Sequence, residues 1–252
     1  MYIKLIACEI FFREICYCAA ISKNIIDLEF LTQGYHDIPQ TGVVEIQKRI
    51  DAVPPNKYDA IALGYGLCSK IINGLVARHT PIVIPRMHDC ITMFLGSRER
   101  YKSMFDSSPG TYYYTSGWIE CLTRRGGQAN INGFLMPANV AEGFKVAFDQ
   151  LEKKYGKDNA EYLVSIFSQW ENMYSKGVLI NYEFARHLKF NEKVREICKK
   201  RGWEYGEIEG DLGYLQRLLD GEWGEEEFLI LNPGDKAVAS FDDKIIEKQQ
   251  GS

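Results

Sequence analysis

The chain lacks any run of about 20 apolar residues, the length a helix needs to cross a bilayer, so no membrane partner is expected. It also lacks a basic run. Lys and Arg number 30 against 34 Asp and Glu, and this mildly acidic balance disfavours a nucleic-acid partner. The opening residues, Met1-Tyr2-Ile3-Lys4, show no apolar core or small-residue cleavage site of a secretory signal, and the expected location is the cytoplasm. None of the seven cysteines forms a C-x-x-C pair, so a metal site must draw on residues far apart in sequence. In the cytoplasm such cysteines serve as thiols or metal ligands rather than disulfides. No G-x-G-x-x-G loop is present: Gly64-Tyr65-Gly66-Leu67-Cys68-Ser69 comes nearest, with Ser69 where the last glycine would stand. No short-period repeat is seen.

What is present is an apolar share of 46%, enough for a sizeable core, and an alternation of strands with helices. Strands are predicted at 2–7, 25–31, 59–63, 81–84 and 111–115. Helices are predicted at 9–20, 43–52 (stopped by Pro54-Pro55), 69–78 and 92–106. Arg124 to Asn130 has no apolar period and reads as a loop. Two amphipathic helices are then predicted, one carrying Val140, Phe144 and Phe148, the other Leu163, Phe167 and Trp170. Strands at 178–182, 203–208 and 228–231 alternate with helices at 191–201 and 211–219, and Lys248 to Ser252 reads as frayed. Such β-α-β units imply parallel sheets with right-handed crossovers. The expected fold is α/β: two Rossmann-like lobes, residues 1–135 and 136–252, with largely parallel sheets. A helical segment at 138–175 lies between them, and a cleft is expected at the carboxyl ends of the strands.

Three cysteines sit where three predicted strands end: Cys8, Cys68 and Cys90. Ligands of open α/β sheets bind at that edge, so three thiolates delivered there could hold one metal or one iron–sulfur cluster. His88 shares the direction of Cys90 in an extended loop and is a fourth candidate ligand. Asp89 between them is either an outer carboxylate or a helix N-cap. Gly64, Gly66 and Ser69 are candidate cofactor-binding residues because glycines permit close backbone approach; Trp118 is added as a ring lining the same cleft. Arg98 and Arg100, with Arg86, could clamp an anionic substrate, and Glu120 could act as a general acid or base. Cys16, Cys18 and Cys198 read as core residues; Cys121 and His36 are reserve ligands.

Several stretches carry a resemblance. Ile6-Ala7-Cys8-Glu9, Leu63 to Cys68, His88-Asp89-Cys90, Leu95 to Tyr101, Pro109 to Tyr113, Ser116 to Glu120 and Gly221-Glu222-Trp223 resemble an uncharacterised family of anaerobic bacteria and methanogenic archaea. Its members often accompany corrinoid-dependent methyl transfer. The resemblance therefore implies anaerobic one-carbon metabolism, with a small-molecule substrate or a corrinoid protein as partner. Three readings follow. The first is a three-cysteine [4Fe–4S] protein with one iron open to substrate. The second is a zinc-dependent, thiol-activating methyltransferase-like enzyme. The third is an accessory protein that binds a corrinoid or a metal. An enzyme of this kind would be a cluster- or zinc-dependent lyase or methyltransferase.

Overall fold

A computed structural model describes residues 1–36, 38–124, 152, 156–158, 174–240 and 242–250. The two amphipathic helices, the segment at 138–175 and the break at 135/136 lie largely outside the described residues. The strands are β1 (Tyr2–Cys8), β2 (Ile25–Leu31), β3 (Ala60–Gly64), β4 (Ile82–Pro85), β5 (Thr111–Tyr114), β6 (Lys176–Asn181), β7 (Glu204–Glu209), β8 (Phe228–Leu231), β9 (Lys236–Ala239) and β10 (Ile246–Gln249). The helices are α1 (Phe12–Ile21), α2 (Pro39–Asp51), α3 (Cys90–Leu95), α4 (Arg98–Ser107), α5 (Ser116–Arg124), α6 (Phe190–Arg201) and α7 (Gly213–Asp220). The fold is α/β and Rossmann-like, and none of the described helices is long and apolar enough to cross a membrane.

Two compact units emerge: residues 1–102 with 210–252, and residues 103–209. The first holds a five-stranded sheet of order β2-β1-β3-β4-β8. Its first four strands are parallel. Ile3, Leu5, Ile6 and Ala7 of β1 are all fully buried, as befits a central parallel strand covered on both faces. The strand at 228–231, read from the sequence as part of the second lobe, instead closes this sheet as β8, antiparallel to β4.

Two helix predictions need correction. Residues 69–78 do not form a helix: a one-turn 3-10 helix at Cys68–Lys70 ends with Lys70 at φ 70° and Gly74 at φ 95°, both outside helical space. The chain then runs extended, with Gly74 N–H donating to Ala237 O and Ala237 N–H donating to Leu75 O, each at 2.8 Å. The helix predicted at 92–106 is two helices, split at Gly96. Gly96 takes φ 80°, and a Cβ there would lie 2.5 Å from Asp211 Cβ, so only glycine fits this C-terminal position. The end of the chain also differs from expectation. Lys248 and Gln249 belong to β10, which pairs antiparallel with β9, and Ala237 and Ile246 enter the core.

The second unit contains the parallel sheet β5-β6-β7. Val194 and Cys198 of α6 pack onto it, and a Cβ on Gly177 would come within 2.5 Å of the Cys198 sulfur. Cys198 is thus a packed core residue, as read from the sequence.

Candidate site at the carboxyl edge of the first sheet

The chain leaves β1 toward β2 on one side and later enters β3 on the other. The point between β1 and β3 is where strand order reverses, the position at which doubly wound sheets bind ligands. Cys8 is the last residue of β1, and Cys68 stands four residues beyond the end of β3. Cys90 opens α3 after β4, the neighbour of β3. Beyond the strands the two loops stay paired: Leu67 N–H donates to Met87 O and Cys68 N–H to His88 O, both at 2.9 Å.

The glycines make this approach fit. Gly64 is paired with Ala7, and a Cβ at Gly64 would lie 2.5 Å from Ala7 Cβ. A Cβ at Gly66 would lie 3.2 Å from both Cγ and O of Met87. Their structural role is therefore to let β1, β3 and the β4 loop converge. Cys68 itself sits at φ 32°, a region that side-chain-bearing residues rarely adopt. Such backbone costs about 1–3 kcal/mol and concentrates at functional sites.

Asp89 caps α3, accepting from Ile91 N–H at 3.0 Å and Thr92 N–H at 3.3 Å, and it also bonds Tyr101. Of the two roles read for Asp89, the cap is the one built here, and it fixes Cys90 at the first helical position. Burial pushes the Cys68 thiol up to about 12. The Asp89 charge adds to this, while the backbone of Gly66 and Cys90 acts in the opposite sense. The Cys90 thiol is raised well above its ordinary value, first by burial and then by Cys68, Asp89 and Cys8. The structure therefore brings the three thiols into one electrostatic neighbourhood. Among the described residues, however, no three His, Cys, Asp or Glu side chains close around a point as a single ion requires. His88 is exposed, and its carbonyl, rather than its ring, ties it to the Cys68 loop.

Two residues passed over in the sequence belong to this edge. Tyr65 is 4% exposed and packs in the core cluster against which Cys8, Tyr35 and Cys68 lie; its hydroxyl finds no hydrogen-bond partner among the described residues. Gln33, just past β2, is 2% exposed, and neither end of its carboxamide is paired. Its backbone N–H is held by Glu9, which follows Cys8, at 2.9 Å. A buried polar group left without a partner costs about 1–3 kcal/mol. No pattern in the sequence marks either residue, because the signal is burial without pairing.

The other candidates have the following places within their own units. Arg98 donates to Asp243 O at 2.9 Å and Arg100 to Leu95 O at 3.1 Å, while Arg86 binds the carbonyls of Glu225, Lys244 and Ile246. Ser69 lies in the one-turn helix after Cys68, and His36 ends the 3-10 helix at Gln33–His36. Cys18 is fully buried, and burial lifts its thiol to about 12; Cys16 is half-buried on the same helix. Trp118, Glu120 and Cys121 lie on α5 of the second unit. That unit also carries a polar cavity of about 340 Å³ at the ends of β6 and β7, lined by Asn181, Arg186, Asn191, Glu207, Ile208 and Glu209.

Residues 30–219 match a family described as a protein of unknown function, DUF1638. The match spans well over half of the sequence, and the chain belongs to that family. No curated protein and no solved structure matches it.

Proposed function

We propose that the protein is a metal protein in which the thiolates of Cys8, Cys68 and Cys90 hold an iron–sulfur cluster. The observation that supports this reading is that Cys8, Cys68 and Cys90 stand at or just beyond the carboxyl ends of β1, β3 and β4, three adjacent parallel strands. The chemistry of the donor set agrees. Burial raises the Cys68 and Cys90 thiols, and Cys68 and Cys8 raise Cys90 further, so ionising them together calls for a strong positive partner. The backbone of Gly66 and Cys90 favours the ionised form of Cys68, the form that ligates a cluster. A lone tetrahedral zinc, with Zn–S near 2.3 Å, would draw its sulfurs to within about 3.8 Å of one another. No such grouping of side chains is present among the described residues.

With three protein ligands a four-iron cluster keeps one iron open, and that iron supplies a Lewis acid or an electron relay when the cluster is bound. The setting we propose is anaerobic, corrinoid-linked one-carbon metabolism in the cytoplasm, supported by the family resemblance described above. The test is anaerobic purification followed by a visible spectrum and assay of iron, sulfide, zinc and cobalt. Iron with sulfide is the expected result, lost on Cys8→Ala, Cys68→Ala or Cys90→Ala and retained in Cys16→Ala and Cys198→Ala. Stoichiometric zinc without sulfide would replace this reading with the zinc enzyme. Metal-free protein that takes up a corrinoid would replace it with the accessory protein.

A further inference from the structure

The second unit holds the polar cavity of about 340 Å³, which the thiol chemistry does not use. It belongs to a single β-α-β unit: β6, the 3-10 segment Glu183–Leu188, α6 and β7 follow one another, and β6 and β7 are parallel neighbours. Asn181 is the last residue of β6, Glu209 the last of β7, and Asn191 stands in the first turn of α6. The cavity thus sits where parallel strands end and the connecting helix begins. Its lining is held in place by the protein itself. Asn181 is 6% exposed, with Oδ1 accepting from Tyr182 N–H at 3.0 Å and Nδ2 donating to Glu207 Oε1 at 2.9 Å. Tyr205 Oη donates to Glu207 Oε2 at 2.7 Å. Burial works against the charge on Glu207, but these two bonds hold its carboxyl below the usual range, so it is ionised at neutral pH. Arg186 bridges Glu209 and Glu183. Asn191 Oδ1 accepts from Glu192 N–H at 3.0 Å, which leaves Nδ2 as a donor.

The lining therefore sets acceptor-only carboxylates beside amide and guanidinium donors, and each Glu207 oxygen keeps room for a second hydrogen bond. A hydroxyl both donates and accepts, so a pair of adjacent hydroxyls answers both kinds of group at once. In dinucleotide-binding β-α-β units the acid after the second strand takes the ribose hydroxyls. Glu207 and Glu209 hold the corresponding place at the end of β7. Phosphate is disfavoured: no glycine occurs from Tyr182 to Lys189 to cradle it, and the carboxylates of the lining outnumber its guanidinium. The volume falls at the lower end of the roughly 300–1,000 Å³ of small-molecule sites. We propose that this cavity binds a neutral vicinal diol, of the kind a sugar ring or a nucleoside ribose presents, with Glu207 accepting from it and Asn191 donating to it. The proposal goes beyond the cluster reading and does not depend on it.

The experiment titrates the full chain with adenosine, D-ribose and D-glucose, and with 2′-deoxyadenosine, inorganic phosphate and putrescine as controls, using calorimetry and saturation-transfer NMR. Saturable binding of at least one of the three diols is expected. Where adenosine binds, 2′-deoxyadenosine should bind about tenfold more weakly or worse, since it forfeits a hydrogen bond to a charged group. Glu207→Gln should weaken the diol by about tenfold and Asn191→Ala by about threefold or more, with melting temperatures that stay at the wild-type value. If Glu207→Gln fails to fold, Asn191→Ala decides. The absence of saturable binding for all three diols overturns the proposal. So does equal binding of adenosine and its deoxy analogue, a preference for phosphate or putrescine, or diol binding unmoved in the folded variants. None of these outcomes bears on the iron and sulfide content that tests the cluster.

Discussion

Replacing Gly64 with alanine tests whether close approach of β1 and β3 builds the thiol edge. The new methyl carbon would stand 2.5 Å from Ala7 Cβ, 3.2 Å from Ala7 Cα and 3.3 Å from Ile15 Cδ1. Apolar carbons rest at about 3.5–4.0 Å, so the closest contact overlaps by about 1 Å or more. Ala7 has no rotamer with which to yield; it is fully buried and in register with Gly64. The two strands must part, or β1 must shift along with the Cys8 that follows Ala7. Overpacking of this kind costs about 1–3 kcal/mol. For a chain of this length each kcal/mol lowers the melting temperature by about 2–4 °C, a drop of roughly 2–12 °C in all. Ala7→Gly removes the opposing methyl, and the double variant should recover most of the loss, a coupling of about 0.5–3 kcal/mol. Thermal unfolding by circular dichroism of the four proteins reads this directly, with metal content measured alongside. A Gly64→Ala protein that melts with the wild type, or a double variant that shows no coupling, would refute the reasoning.

Two further perturbations probe the frame. Asp89→Ala removes the cap of α3 and should cost about 1 kcal/mol in denaturant unfolding, whereas Asp89→Asn keeps an acceptor and should cost little. Burial holds the Asp89 carboxyl above the usual carboxylate range, against the hydrogen bonds from Tyr101 and the cap. Its favourable contribution is therefore complete below the unfolded pKa of about 3.9 and is lost as pH rises through the raised folded value. Asp89→Asn should gain on the wild type as pH rises above about 4, and a constant difference would contradict this assignment. Arg86→Met strips donors from the carbonyls of Glu225, Lys244 and Ile246 and should destabilise by about 1.5–3 kcal/mol. Amide exchange in β10 should quicken as well; unchanged exchange there would show that Arg86 does not hold the hairpin.

Strands rich in apolar residues were legible because their burial is written in composition. Ile25–Leu31 and Phe228–Leu231 have the limits read from the sequence. Their partners were not legible. Nothing local in Phe228 to Leu231 says that it returns to the first sheet, because an antiparallel edge strand and a parallel one share the same apolar run. The false helix at 69–78 had helix-compatible residues, yet Gly74 at φ 95° and pairing with the segment at 234–237 decided against it. The split at Gly96 is a tertiary effect, set by Asp211, more than 100 residues away in sequence. At the site, the three thiols could be placed because strand ends are predictable. Gln33 and Tyr65 could not, since an unmet hydrogen bond exists only once the core has closed around it.

Several unfavourable features of the first unit lie along the carboxyl edge of its sheet, while another, the unpaired Gln216 Oε1, lies on α7. Cys68 holds a positive φ, Tyr65 and Gln33 carry buried polar groups with no partner among the described residues, and Cys68 and Cys90 are thiols that burial makes harder to ionise. Away from that edge the same unit matches its charges: Lys4 lies between Asp27 at 3.4 Å and Glu29 at 3.0 Å, and Arg217 meets Glu227 through two bonds. A chain shaped for stability alone would gain by placing phenylalanine at 65 and leucine at 33, since either change removes an unmet donor at little loss of packing. Local departures from otherwise consistent structure mark functional sites. Here several of them lie beside the reversal point between β1 and β3, the position at which doubly wound sheets bind ligands.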